Sequence, residues 1–144
     1  MKPKDFLNQL RHDDIVAAIQ SAEQKTSGEI RVFISRKNVD DAVAAAQKQF
    51  DRLGMTKTHH RNGVLIFVAP SARKFAVIGD TAVHQKCGDA FWLALAEEMA
   101  SHFKKSDFTA GIIHGIQKAG ELLAAHFPPQ AEAGNELPDQ VEHD

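Results

Sequence analysis

One cysteine, Cys87, is all that the 144 residues hold. A single thiol excludes an internal disulfide and any zinc site built from several cysteines. Basic excess is also missing. The formal net charge is −2, which leaves no electrostatic footprint for nucleic-acid binding. No apolar run approaches the ~20 residues that span a bilayer, and Met1-Lys2-Pro3-Lys4-Asp5-Phe6 lacks the apolar centre of a secretory leader. A cytoplasmic location without a transmembrane segment is the resulting expectation. GxGxxG, a Walker-type GxxxxGK, HExxH, GxSxG and EF-hand spacing are all absent. The arginine that a cysteine-phosphatase loop needs downstream of Cys87 is replaced by Leu93. Arg11-His12-Asp13 lacks the glycine of a histidine-phosphatase RHG and follows no strand.

What is present reads as one domain. The composition, 43% hydrophobic and 25% charged, is that of an ordinary globular chain, and the length is enough to bury roughly 70% of the unfolded surface. Val64 to Val68 and Phe75 to Ile78 are short apolar runs rich in branched and aromatic residues. Pro70-Ser71-Ala72 separates them and Gly79-Asp80 closes the second, the pattern of a hairpin. An earlier strand, Ile30 to Ile34, follows the turn-like Thr26-Ser27-Gly28.

Helical periods surround these strands. Asp13 and Asp14 open a first helix with Ile15, Ile19 and Ala22 on one face, their charges suited to the helix dipole. Asp40 is placed to cap a second, whose inner face is Val43, Ala46, Phe50 and Leu53 and whose end is Gly54. A third begins near Asp89 with Phe91, Leu95, Met99 and Phe103. The fourth follows Asp107, uses Ile112, Ile116, Leu123 and Phe127, and is stopped by Pro128-Pro129. Gly111, Gly115 and Ala119 form a small-residue stripe on it. Each interior glycine costs about 1 kcal/mol relative to alanine, so close approach to the sheet or the third helix is expected. Residues 1–129 form the domain. Residues 130–144 read as an acidic extension over the surface, anchored by Leu137 and Val141 alone.

The order helix, strand, helix, strand, strand, helix, helix gives an α/β fold. Its small mixed sheet has one parallel crossover, one hairpin, and helices on both faces. Strand direction then sorts the polar groups. Ser27, Glu29, His59, His60, Arg61, Asn62 and Asp80 collect at one sheet edge, and Asp89 can return to it. Asp40 and Asp41 lie at the other, near the loop from Ser71 to Lys74. Glu29, Asp80 and Asp89 are the candidate ligands for a hard divalent cation, calcium or magnesium. The plainer alternative pairs Glu29 with Arg61 or Arg31 and leaves Asp80 and Asp89 as turn and helix caps. His59-His60 are metal ligands or proton carriers, or else a solvated loop. Cys87 is a thiolate favoured by a helix start, or an inert half-buried thiol.

Taken together, TSGEIRVFIS at 26–35, RLGMTKTHHRNGVLIFVAP at 52–70, RKFAVIGDTAV at 73–83 and Phe91-Trp92 resemble the TPM domain family. GIIHGIQKAGELLAAHFP at 111–128 and NELPD at 135–139 resemble its stand-alone bacterial branch. The resemblance implies a three-layer αβα sandwich around a four-stranded sheet. It therefore requires one strand more than the pattern shows, from the tail around Leu137 or a segment near Met55. It also implies binding of a divalent metal that holds crossing loops together, while thylakoid relatives with proposed acid phosphatase activity imply a hydrolase. Arg61-Asn62-Gly63 stands where exported members often have Asp-Asn-Gly, so a site from that branch does not transfer directly, nor does any photosystem role.

Three functions are compatible with this reading. One is a regulatory module that binds calcium or magnesium and orders its loops for a protein partner. A second is a metal-assisted phosphatase in which Arg61, Arg73 or a histidine neutralises phosphate. The third is a ligand-free interaction domain using the glycine-striped helix or the acidic tail.

Overall fold

A computed structural model describes residues 3–58, 60–129 and 141–144. The helices are α1 (Pro3–Gln9), α2 (His12–Glu23), α3 (Ala42–Arg52), α4 (Thr81–Lys104) and α5 (Phe108–His126). The strands are β1 (Glu29–Ile34), β2 (Gly63–Ala69), β3 (Lys74–Gly79) and β4 (Val141–His143). They form one sheet in the order β3-β2-β1-β4. β1 runs parallel to β2 and to β4, and β2 runs antiparallel to β3. This is the mixed αβα sandwich that the sequence pattern implies.

Alternation along the strands decides the layers, because successive side chains leave on opposite faces. Ile30, Val32, Ile34, Val64, Ile66 and Val68 join Ile15, Ile19, Leu95, Met99, Ile112, Ile116 and Leu123 in the larger core. Phe33, Leu65 and Phe67 turn the other way, onto Ala46, Phe50 and Met55. Both β1 and β2 are buried along their whole length. They read as continuous apolar runs for that reason: each is covered on two faces.

The glycine stripe makes the close approaches its spacing requires. A Cβ on Gly115 would lie 2.8 Å from Met99 Sδ and 3.2 Å from Ile66 Cδ1, so α5 touches both α4 and the sheet there.

Several elements differ from the sequence expectation. α1 carries too short an apolar pattern to announce itself, yet Phe6 and Leu10 are buried in the larger core. α3 is capped by Asp41, whose carboxylate accepts from Ala44 N–H at 3.1 Å, and not by Asp40. Val43, expected inside, is 60% exposed. α4 begins at Thr81, well before Asp89. The helix bends at Gly88, where φ is 71° and ψ 177°, so the segment from Asp89 is its second half. The fourth strand comes from the tail: Val141–His143 pair with Val32, Phe33 and Ile34 of β1 instead of draping over the surface. The segment near Met55 is a single 3-10 turn. Leu137 lies outside the described residues.

β4 is tied down electrostatically. Arg31, on the α3 face of β1, has a side chain only 4% exposed, and its guanidinium donates to Glu142. Asp144 receives Ser35 Oγ and Arg36 N–H, each at 2.7 Å. Burial pushes the Asp144 carboxyl up. The hydrogen bonds from Arg36 and Ser35, with the charge of Lys37, outweigh it and hold the group below its ordinary value.

Candidate functional site

The entry edge of the sheet gathers Glu29 and Asp80 as strand direction requires. Glu29 starts β1 and faces Gly63 at the start of β2. Asp80 follows β3, and its N–H donates to the carbonyl of Gly63 at 2.9 Å. Gly63 therefore lies between them, two strand spacings or roughly 10 Å across the sheet. Both acids are buried, at 4% and 5% exposure.

Asp80 carries two structural tasks. Its Oδ1 accepts from Thr81 N–H at 2.7 Å, capping α4. The same carboxylate takes a bidentate pair from Arg61, with Nε at 2.7 Å from Oδ2 and Nη2 at 2.8 Å from Oδ1. Planar fork-on-carboxylate geometry of this kind fixes orientation as well as charge. Those hydrogen bonds, and then the carboxylate charge, raise the guanidinium further above its already high pKa. Arg61 holds its backbone at φ 53°, the left-handed region that non-glycine residues seldom occupy. Its carbonyl also accepts from Ala82 N–H at 3.3 Å.

Around this pair the turn before β1 is tied to the last turn of α5. Thr26 Oγ1 donates to the carbonyl of Phe127, which also accepts from Ser27 N–H at 3.0 Å. Asn62, 1% exposed, donates its backbone N–H to Thr58 Oγ1 at 3.2 Å and its side-chain amide to Ser27 Oγ at 3.2 Å. Gly28 leaves room for this contact. A Cβ there would sit 2.9 Å from both methyls of Leu123 and 3.1 Å from the Asn62 carbonyl.

Asp89 does not join the edge. It lies just beyond the Gly88 bend, 87% of its side chain is exposed, and its Oδ1 lies 3.4 Å from His84 Nε2. His84 Nδ1 in turn accepts from the indole of Trp92 at 3.1 Å. His60 is exposed, and His59 lies outside the described residues. Among the described residues no three His, Cys, Asp or Glu side chains converge in a geometry that could hold a metal ion. Cys87 is half-buried in the first half of α4. Burial pushes its thiol pKa up and the nearby Asp89 adds to the shift, against a smaller lowering by a backbone hydrogen bond. The shift disfavours the thiolate.

The sequence pattern placed Arg61 at this edge but paired it with Glu29 or with phosphate. Its partner is Asp80. The signal was available in part: a helix that starts at Thr81 needs an N-cap at Asp80, and the preceding hairpin brings the start of β2 alongside.

A model of the TPM domain matches residues 1–122. The chain belongs to the TPM domain family. This TPM domain is similar to the BA42 protein of the psychrophilic bacterium Bizionia argentinensis, whose structure was solved by NMR. The two are 36% identical, with 92% of each chain covered and a TM-score of 0.84. The N-terminal domain of the cg2496 protein of Corynebacterium glutamicum is 18% identical. That comparison covers 95% of this chain and 85% of that one, with a TM-score of 0.61. An N-terminal domain from P. gingivalis is 12% identical, covering 77% and 72%, with a TM-score of 0.59. These two share the fold. No curated protein sequence matches the TPM domain described above. Among the described residues, no helix is long and apolar enough to cross a membrane.

Proposed function

We propose that this TPM domain is a regulatory binding module that takes calcium or magnesium at the entry edge, where the cation competes with Arg61 for Asp80. The observation that carries the reading is the shared rim of Glu29 and Asp80, one carboxylate opening β1 and one following β3, both already withdrawn from water. Burying a carboxylate is costly unless a cation answers it. At Asp80 the guanidinium of Arg61 is that cation, and nearly half of its side chain is exposed and able to leave. The side-chain oxygens at this edge, those of Glu29, Asp80, Ser27 and Asn62, are hard donors of the type that calcium and magnesium prefer. Asp89 has no part in this set.

Cation binding would take over the carboxylate, free Arg61, and relax the strained turn before β2. A change at Asp80 also reaches the first turn of α4. The consequence is a surface altered for a protein partner, a local switch driven by charge.

Isothermal titration with calcium chloride and magnesium chloride, followed by amide NMR shifts, tests the reading. Heat of binding with shifts centred on Glu29, Arg61 and Asp80 is expected. Asp80→Asn should abolish it, and Arg61→Gln should tighten binding several-fold by removing the competitor. Absence of heat and shifts with both ions would sink cation binding. Weaker binding in Arg61→Gln would sink the competition.

A further inference from the structure

The opposite edge of the sheet carries a half-open groove of about 520 Å³. It lies where β2 ends and β3 begins, closed on its other side by the last turns of α4 and the start of α5. Its size falls within the range of small-molecule sites, about 300–1,000 Å³. Phe6, Phe75, Phe103 and Phe108 line it, and they form one continuous aromatic wall. Phe6 and Phe108 have ring centroids 4.7 Å apart, Phe103 and Phe108 6.2 Å, and Phe75 meets Phe103 edge-on at 5.0 Å. Phe103 holds its place against Gly111, where a Cβ would lie only 2.6 Å from the ring.

The rim has one sign of charge. Arg73 and Lys104 both line the groove, no acid among the described residues does, and both side chains are exposed. Among the described residues neither makes a side-chain hydrogen bond or ion pair. Lys74 beside them is engaged with the carbonyl of Asp40. Backbone strain gathers here as well. Three non-glycine residues have positive φ among those described, and two of them, Arg73 at 53° and Ser106 at 60°, line this groove. Strained backbone of this kind concentrates at ligand clamps.

We propose that this groove binds a small amphipathic anion, an aryl or short-chain acyl acid whose apolar body lies on the phenylalanine wall and whose carboxylate meets Arg73 and Lys104. The charge pattern selects this class. A neutral apolar ligand would leave the two cations unanswered, and a bare inorganic anion would leave the partly exposed rings of Phe75, Phe103 and Phe108 in water. The site is separate from the Glu29–Asp80 rim and does not depend on the cation reading.

The test is an amide NMR titration of the full chain with hexanoate, with hexanol of the same length and inorganic phosphate as controls. Hexanoate should shift Arg73, Phe75, Phe103 and Ser106, while both controls leave them nearly unmoved. Because both cations are exposed and, among the described residues, unpaired, the double variant Arg73→Gln, Lys104→Gln should fold with an unchanged melting temperature. It should bind hexanoate about tenfold more weakly. Three results would overturn the proposal: hexanol binding as tightly as hexanoate, hexanoate shifts that bypass the groove, or an affinity unaltered in the double variant.

Discussion

Gly79→Ala removes nothing from the protein, yet it should destabilise it. Gly79 is the last residue of β3, directly before Asp80. An added Cβ would lie 2.7 Å from Cζ2 and 3.0 Å from Cη2 of Trp92, and 3.1 Å from Cβ of Val83. In an open strand the exchange would gain about 0.5–1 kcal/mol from reduced backbone freedom. Here the indole is anchored by its hydrogen bond to His84 and by edge-on packing with Phe91. A rigid ring yields poorly, and overpacking of this kind costs roughly 1–3 kcal/mol. The clash should win, for a net loss of about 1–2 kcal/mol.

Urea unfolding followed by the fluorescence of Trp92, the sole tryptophan, measures this directly. The midpoint should fall with an unchanged m-value, and the melting temperature should drop by roughly 3–8 °C. Replacing the indole in Gly79→Ala, Trp92→Phe should recover part of the loss, with circular dichroism as the probe. A single variant as stable as the parent, or more so, would refute the packing account of this corner and of the turn that presents Asp80.

Three further outcomes follow from the same structure. Glu142→Ala leaves Arg31 buried without its β4 partner and should cost about 3 kcal/mol, read as a urea midpoint shift. The double variant Arg31→Met, Glu142→Ala should restore much of that. The depressed pKa of Asp144 contributes stability above its ordinary value of 3.8. That contribution is lost as pH falls through the lower folded value, so amides of residues 141–143 should exchange faster below about pH 4, ahead of those in β2. Cys87, with its thiol pKa raised by burial, should react with a disulfide reagent at pH 7 more slowly than free cysteine, and accelerate on unfolding.

Much of the fold was legible because local chemistry and tertiary packing agree. The apolar runs of β1 and β2, the turn residues between β2 and β3, and the four-residue repeats of α2 and α5 each identify an element whichever way the chain closes. The glycine stripe announced its own close contacts. Failures occur where one signal was weak or ambiguous. α1 is too short for a period to emerge. In α4 the apolar repeat from Phe91 placed the start near Asp89, whereas the helix begins at Thr81 and bends at Gly88 before that repeat sets in. β4 has only three residues, and pairing with β1 gives them a strand conformation that their composition does not demand.

At the candidate site the division is sharper. Residue order alone determined that Glu29, Arg61 and Asp80 would share one edge, since two parallel strands begin where an antiparallel one ends. Partner choice belonged to the tertiary structure. Arg61 bonds Asp80 and Arg31 bonds Glu142 because side-chain reach, sheet face and helix capping are properties of the assembled layers. The same holds for the groove: Phe6, Phe75, Phe103 and Phe108 lie scattered along the chain. Only the packing of α1, β3, α4 and α5 makes them one wall beneath Arg73 and Lys104.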